Sequence, residues 1–589
     1  MDSSQVTLSQ ALRNSEPTRP LAASHDQQQS RDDSAWRISV LSTLGPARSS
    51  EPAFGTMYSN NDDPPMPKEP QHNMRLVIKK EGDLGETTSD YKGQYRRWPG
   101  ILLFLLMIAG AIVLITMEAQ KTYDATVVRG KTYELTSQGK RAIKDGKTNG
   151  EDIVSDDGQV GNPKTYTTTS CEQPNYISKN GQLLAVAANG TEVPFTIKGV
   201  NWFGMETPLA VPFGLWENQE NGTTAYEIAS FLSRNKFNAI RLPISVENVL
   251  KNNPPAEGVI NKQSNRAINI MNFTSTLQSI VQSLEYRKIG VLISMHTLTN
   301  AKSGGNWFDE SLGVSQDDFL KAVGIVSKEL CGPKYWNIIG LDLKNEPYEA
   351  EWGTGTDADF VVGSEKIAKV MHDNCPRWLA FVEGVVASHK ITIDGVEMSY
   401  YDWWGGGLQK AGTSKPKLSI ENKLVWAPHY YTTAVSPQAY FYGSNTKADY
   451  SSYEELSDET LKSNIAATMD DMFGYLIQER TSAVLLGEFA GLYTKDAHPL
   501  KTTKRTTDQT IAVMLEKGYA GGFMWSLNPE SQYQYNPANV KGSFTEGLLE
   551  DDWLSPNTEF LNAFKPMDSL SNLRPLPCFT VEDSTSSSS

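Results

Sequence analysis

The chain reads as an α/β protein built on a (β/α)8 barrel, and three observations predict this. Eight short apolar runs alternate with helix-patterned stretches between residues 195 and 530, as expected of parallel strands joined by crossover helices. Run after run ends in a polar or aromatic side chain, which suits a barrel whose site sits at the carboxyl ends of its strands. No glycine-rich phosphate turn follows an early strand, although an open doubly wound sheet would usually show one.

The expected strands are Thr196–Val200, Ala239–Pro243, Val291–Met295, Ile338–Leu343, Leu379–Val382, Leu424–Ala427, Val484–Gly487 and Gly522–Trp525. Their short apolar lengths fit strands buried on both faces. Helical patterns lie between most of them, at Tyr226–Asn235, Ala267–Arg287, Asp317–Leu330, Glu365–Asp373, Ser457–Gln478 and Thr507–Lys517. Before the first strand, Glu172–Pro194 contains Asn180-Gly181 and Asn189-Gly190. Both are hairpin-turn pairs, and they predict a β-hairpin closing the barrel floor.

The 589 residues exceed what one compact domain needs. Residues 1–97 are rich in Ser, Gln, Asp, Pro and Arg and lack a sustained apolar period. Such a segment buries too little apolar surface to offset ordering entropy, so a disordered segment is expected. Trp98 to Met117 is a run of twenty residues without a charge. As a helix it spans roughly 30 Å, the thickness of a bilayer core. A buried core helix would not sit between two polar segments, and a cleaved leader would carry a short basic lead rather than 97 residues. Residues 118–170 are expected to form a flexible stalk, 171–580 the globular domain, and the Ser-rich 581–589 a loose tail.

Lys79, Lys80, Lys92, Arg96 and Arg97 precede the span, against Lys121, Arg129 and Lys131 after it. This bias places the N-terminal side in the cytosol. A single-pass type II membrane protein is expected, with the globular domain outside the cell or in a lumen and lipid around 98–117. The glycosylation sequons at Asn189, Asn221 and Asn272 all follow the span and agree with that orientation. So do the four cysteines, all beyond it. They allow three disulfide connectivities, with free thiols as the alternative. Cys331–Cys375 is preferred because each precedes a strand-like run, and Cys171–Cys578 then ties the ends of the domain together. No pair has zinc-site spacing, so neither a metal nor a cofactor is expected. The net charge of −15 disfavours a nucleic-acid partner and is compatible with a neutral polymer.

At the strand ends stand Asn201 and Trp202, Arg241, His296, Asn345 and Glu346, His429 and Tyr431, Glu488, and Trp525. Singly, each has a structural explanation: a salt-bridge partner, a core histidine, a packed aromatic. Glu346 and Glu488 each close an apolar run, and a carboxylate is costly to bury unless paired or functional. Two of them suit an acid and a nucleophile flanking one glycosidic bond.

Lys198-Gly-Val-Asn-Trp-Phe-Gly-Met-Glu206, Asn345-Glu-Pro347, Gly487-Glu-Phe489 and Trp525-Ser-Leu-Asn-Pro529 resemble glycoside hydrolase family 5, and within it the bacterial-type endo-β-1,4-glucanases. Phe381-Val-Glu-Gly384, Trp403-Trp-Gly-Gly406, His429-Tyr-Tyr431 and Gly547-Leu-Leu-Glu-Asp-Asp-Trp553 extend the resemblance over residues 174–565. It implies a retaining hydrolase with Glu346 as acid/base and Glu488 as nucleophile. Arg241 and Tyr431 would hold Glu488 ionised and oriented, Asn345 would bind the sugar 2-hydroxyl, and His429 would tune Glu346. His296 would bind a hydroxyl, and Trp202, Trp404 and Trp525 would stack on pyranose rings.

The expected substrate is a β-1,4-glucan, cleaved internally by a monomer. The run Met295-His-Thr-Leu-Thr-Asn300 lacks the long polar residue that this group often carries after the histidine, which leaves β-1,3-glucan and mannan open. A non-catalytic carbohydrate-binding barrel is the alternative from another class. A retaining pair should hold its carboxyl groups about 5–5.5 Å apart.

Overall fold

The computed structural model describes residues 98–137, 143–145, 163–166, 169–216 and 221–580. The disorder expected of 1–97 and 581–589 lies outside the described residues. Helix α1 is Trp98–Ser137. Within it Trp98–Asp124 is apolar and long enough to cross a membrane by length and composition. The helix runs on well past Met117, where a loose stalk is expected, because no proline interrupts 118–137. Further along the expected stalk, Ile143 is buried and Asp145 pairs with Arg234 at 3.0 Å. This short segment therefore docks on the globular domain.

That domain begins with β1 (Asn175–Lys179), β2 (Gln182–Val186) and β3 (Glu192–Phe195), an antiparallel three-stranded sheet in the order 1-2-3. Asn180 and Gly181 both take positive φ (54° and 74°), as a two-residue hairpin turn requires. The second turn signal adds a third strand, so the expected hairpin is part of a small sheet. Tyr176, Leu183, Ala185 and Phe195 pack in one buried cluster with Leu292, Ile339, Phe381, Val425 and Phe523 of the barrel strands. They plug the floor.

The barrel follows in chain order. Its elements are β4 (Ile197–Asn201), α2 (Ala225–Arg234), β5 (Ala239–Ser245), α3 (Val246–Lys251), α4 (Phe273–Glu285), β6 (Gly290–Thr297), α5 (Gln316–Glu329), β7 (Ile338–Asp342), α6 (Phe360–Asn374) and β8 (Leu379–Val382). A hairpin of β9 (Ser388–Ile393) and β10 (Val396–Tyr401) interrupts the alternation. Then come β11 (Leu424–Trp426), β12 (His429–Tyr431), α7 (Asp458–Met472), β13 (Ala483–Val484), β14 (Leu486–Ala490), α8 (Thr502–Lys517) and β15 (Gly521–Met524). A second hairpin, β16 (Gln532–Tyr535) and β17 (Lys541–Thr545), precedes α9 (Thr558–Ala563).

The large sheet has the order β12-β14-β15-β4-β5-β6-β7-β8-β11-β13, and all its pairs are parallel. Its two ends are halves of the same strands. β11 and β12 are one strand broken at Pro428, which has no N–H to give; β13 and β14 are one strand broken at Leu485. The Leu485 amide donates to Trp426 O at 3.0 Å and the Gly487 amide to Pro428 O at 2.9 Å. These bonds carry the ladder across both breaks, so the sheet closes as eight strands.

The helices bury the stripe their sequence patterns predict. In α5, Phe319, Ala322, Val323 and Val326 are buried, and Ser315 and Asp318 form a reciprocal capping box. Cys331 and Cys375, just past the ends of α5 and α6, are disulfide-bonded, and Cys171 is bonded to Cys578 across 407 residues.

Candidate active site

Glu488 lies within β14 and is 3% exposed. Its Oε1 accepts from Arg241 Nη1 and its Oε2 from the Tyr431 hydroxyl. Arg241, on β5, is fully buried. Its Nε and Nη2 donate to Asp342 Oδ2 (3.0 and 2.6 Å), its Nη1 to Asn201 Oδ1 (3.0 Å), and its Nη2 to Asn345 Oδ1 (2.6 Å) and Glu383 Oε1 (3.2 Å). Every arm of the guanidinium fork is thus committed, which fixes the position of the Glu488 carboxylate.

Glu346 follows β7 and adopts φ +49°, a left-handed conformation that costs a β-carbon residue some strain. Its amide donates to Glu383 Oε2 at 2.8 Å, which helps hold that backbone turn. Its Oε1 lies 2.9 Å from His429 Nδ1. One oxygen of Glu346, one of Glu488 and a nitrogen of His429 all lie within 4.8 Å of one another. Three such atoms are close enough to share a cation. Glu488 is bonded by Arg241 and Tyr431, and Glu346 by His429, a pattern that suits proton handling.

Burial raises the Glu346 pKa, and the hydrogen bond from His429 opposes that rise only in part. Burial alone would lower His429, but the Glu383, Glu488 and Glu346 carboxylates outweigh it and hold His429 well above its usual range. Asp342 is pushed up to about 7 by burial and by Glu383. Lys344, buried against the Asn345 carbonyl, is lowered to about 8. His296 is held well below its usual value by burial and by Arg241, and so is neutral.

These groups open into a cleft of about 330 Å³ lined by His296, Asn345, Glu346, Trp404, Tyr431, Glu488 and Trp525. Trp525 stacks on Phe203 (5.3 Å, 7°) and beside His296 (5.9 Å, 10°), and Trp404 stacks on Tyr348 (4.1 Å, 17°). Both indoles line the cleft. The β9–β10 hairpin side contributes Tyr401 and Asp402 to the walls, and the β16–β17 hairpin contributes Gln532, Tyr533 and Ser543.

Trp202 is the exception among the expected sugar platforms. It is fully buried, and its Nε1 donates to Phe213 O at 2.9 Å. Asn201 takes the inward position, contacting Arg241 and the Met524 carbonyl, so the next side chain is directed away from the cleft. Trp202 is therefore a core aromatic, and Phe203 reaches the cleft wall instead.

Glu383, Asp342 and Tyr348 escaped the strand-end reading. Glu383 carries the same signal as the other two glutamates, a carboxylate closing an apolar run (Leu379–Val382). The β9–β10 hairpin also has a legible turn, Asp394-Gly395, with φ of 50° and 80°. Of the sequon asparagines, Asn189 occupies the turn after β2 and bonds the Thr191 amide. Asn272 caps α4, and Asn221 accepts from Trp216 Nε1 at 3.2 Å.

A closed eight-stranded barrel with a cleft at its strand ends, paired carboxylates and stacked indoles defines a carbohydrate-active enzyme, a glycoside hydrolase. The model of the cellulase family, glycosyl hydrolase family 5, matches residues 186–531, and the chain belongs to that family. It is 26% identical to an endoglucanase of Paenibacillus polymyxa over 400 residues, which is 67% of this chain and 87% of that protein. It is 29% identical to the major extracellular endoglucanase of Xanthomonas campestris, over 61% of this chain and 65% of that one. Among solved structures, the endocellulase of Pyrococcus horikoshii in complex with cellotetraose superposes with a TM-score of 0.55 at 28% identity, covering 68% of this chain and all of that one. The catalytic domain of the Xanthomonas enzyme gives 0.53 at 29%, covering 67% and 99%.

Proposed function

We propose that the chain is a membrane-anchored, retaining endo-β-1,4-glucanase. The observation that carries this reading is the pairing of Glu346 and Glu488 within 4.8 Å in opposite environments. That proximity favours the retaining spacing of about 5–5.5 Å over the roughly 6.5–9.5 Å that an inverting pair needs to admit water. Glu488, bonded to Arg241 and Tyr431, is the nucleophile: its oxygen attacks the anomeric carbon as the glycosidic C–O bond breaks. Glu346, whose pKa burial raises, is the acid and gives its proton to the departing oxygen. It then takes a proton from the water that cleaves the glycosyl ester, which returns both groups to their starting states. Asn345, anchored by Arg241, faces the cleft where a 2-hydroxyl would lie, and Trp404 and Trp525 offer apolar faces to pyranose rings.

The β-1,4-glucan assignment is supported by the endoglucanase relatives and by the cellotetraose complex of the Pyrococcus enzyme. The anchor is supported by the apolar stretch of α1, and a catalytic domain beyond the membrane by its two disulfides. A panel of carboxymethylcellulose, β-1,3-glucan and β-mannan tests the specificity with the whole protein. Reducing ends released from carboxymethylcellulose, with the β-configuration of the first product, are expected. Turnover of mannan or β-1,3-glucan alone overturns the specificity, and an α-product overturns the mechanism. Resistance to alkaline extraction from membranes tests the anchor.

A further inference from the structure

We propose that Glu383 is a positioning residue, one buried carboxylate that couples the acid/base Glu346, its histidine and the arginine of the nucleophile into a single charge-balanced unit. The inference rests on the roles proposed above for Glu346 and Glu488. Glu383 is fully buried and does not line the cleft, so it does not touch sugar. Its Oε2 accepts from the Glu346 amide at 2.8 Å, and its Oε1 accepts from Arg241 Nη2 at 3.2 Å. Its Oε1 also lies 3.1 Å from His429 Nε2, a charge contact without the alignment of a hydrogen bond. Glu383 is thus in contact with the acid/base backbone, with the imidazole on that acid, and with the guanidinium on the nucleophile.

The neighbouring loop is shaped around it. Gly405 has φ +75°, and a Cβ there would come within 2.3 Å of Glu383 Oε2. The Gly384 amide donates to Gly405 O at 2.7 Å, which closes the loop over the carboxylate. Arg241, His429 and Lys344 are the cations of this nest; Asp342, Glu383, Glu488 and Glu346 are its carboxyl groups, with His296 and Tyr431 also facing His429. Asp342, Glu383 and Glu488 all pair with Arg241, and burial raises the pKa of Glu346. Glu346, which makes no bond to Arg241, is the one placed to keep its proton. Removing the Glu383 charge takes a negative group from beside the Glu346–His429 pair and lowers the pH at which that pair loses its proton.

The test is Glu383→Gln in the whole protein, with Glu383→Asp, Gly405→Ala and Glu346→Gln in parallel. Folding is checked by near-ultraviolet circular dichroism. For Glu383→Gln, kcat on carboxymethylcellulose should fall about 10- to 100-fold, as when outer-shell partners of reacting groups are removed. KM should stay unchanged, and the alkaline limb of the kcat profile should move to lower pH. Glu383→Asp should restore the limb and part of kcat, and Gly405→Ala should lose kcat with KM unchanged. The Glu383→Gln deficit should shrink on a 2,4-dinitrophenyl β-cellobioside, whose leaving group needs little acid assistance.

A folded Glu383→Gln whose alkaline limb does not move, or which loses KM rather than kcat, overturns the proposal. If Glu383→Gln does not fold, Glu383→Asp decides, and wild-type kcat there overturns it. Polymer activity surviving in Glu346→Gln instead overturns the acid/base reading, whatever Glu383 does.

Discussion

At the floor of the barrel, Tyr176, Leu183, Phe195, Leu292 and Phe523 are almost wholly buried. At its mouth, equally buried, sit Arg241, Asp342, Glu383, His429 and Glu488. The floor is mainly apolar; its buried phenol, Tyr176, donates to Trp336 O at 2.7 Å, and the buried Lys423 donates to Tyr176 O at 2.6 Å. The mouth crowds several charges together out of water, and among the described residues Asp342 Oδ1, His296 Nδ1 and His429 Nε2 meet no hydrogen-bond partner. Burial at the floor stabilises through apolar area. Burial at the mouth costs desolvation, and mutual pairing offsets it only in part. The fold therefore rests on one end, and the chemistry depends on strain and charge held at the other.

The sharpest way to break this contrast is at Glu488. Glu488→Ala removes the attacking oxygen and should lower kcat on carboxymethylcellulose by about 10³-fold or more, on the scale of losing a catalytic nucleophile. Arg241 keeps Asp342 and Glu383 as counter-charges, so the melting temperature should fall little. Loss of both activity and fold would show that the mouth is a structural element as well.

Glu346→Gln comes next, with an expected loss of about 10²- to 10⁴-fold on polymer, the usual range for a general acid. The loss should largely vanish for the glycosylation step of a 2,4-dinitrophenyl glycoside. Equal losses on both substrates would argue that Glu346 positions sugar rather than moves a proton.

The floor was easier to read from the sequence than the mouth. Asn180-Gly181 announced its turn directly, because few residue pairs tolerate two positive φ angles. The barrel strands were legible because each is an apolar run of strand length. Glu346 and Glu488 stood out because charge at the end of such a run is costly unless used. Glu383 carries the same mark, yet its role depends on what it meets: an amide 37 residues away, an imidazole and a guanidinium on other strands. Those contacts arise from barrel closure, and no local pattern records them. Trp202 shows the converse. It sits beside Asn201 at a strand end, but one step of side-chain alternation puts it in the core rather than in the cleft. Helix α1 outran its apolar segment because polar residues without proline continue a helix as readily as they form a loose linker.

The floor can be tested without touching the mouth. Cys171→Ser opens the disulfide that spans 407 residues and ties the first segment of the domain to its last. Stability should fall by about 2–5 kcal/mol, the usual cost of losing a native bridge. At 25 °C kcat and the pH profile should stay at wild-type values, because Cys171 packs with the floor cluster. A shifted pH profile would mean that floor and mouth are mechanically coupled, which would dissolve the contrast between them.

The smallest expected effect lies at Glu530, a buried carboxyl outside the catalytic nest, whose Oε1 accepts from Trp553 Nε1 at 3.0 Å and whose Oε2 has no partner among the described residues. Burial raises its pKa to about 7. Folded chains thus hold this proton more tightly than unfolded ones, whose carboxyl titrates at about 4.3. The sign follows from linkage: this group's contribution falls as pH rises from about 4.3 to about 7, and its penalty is complete above that. Glu530→Gln keeps the acceptor for Trp553 and removes the ionisation. The variant should match wild type near pH 4 and be more stable at pH 8, by about 1–3 kcal/mol for a shift of this size. Urea unfolding at the two pH values measures the difference. A gain that is the same at both would mean that Glu530 stays charged in the fold, and that buried ions outside the nest are tolerated as well as those within it.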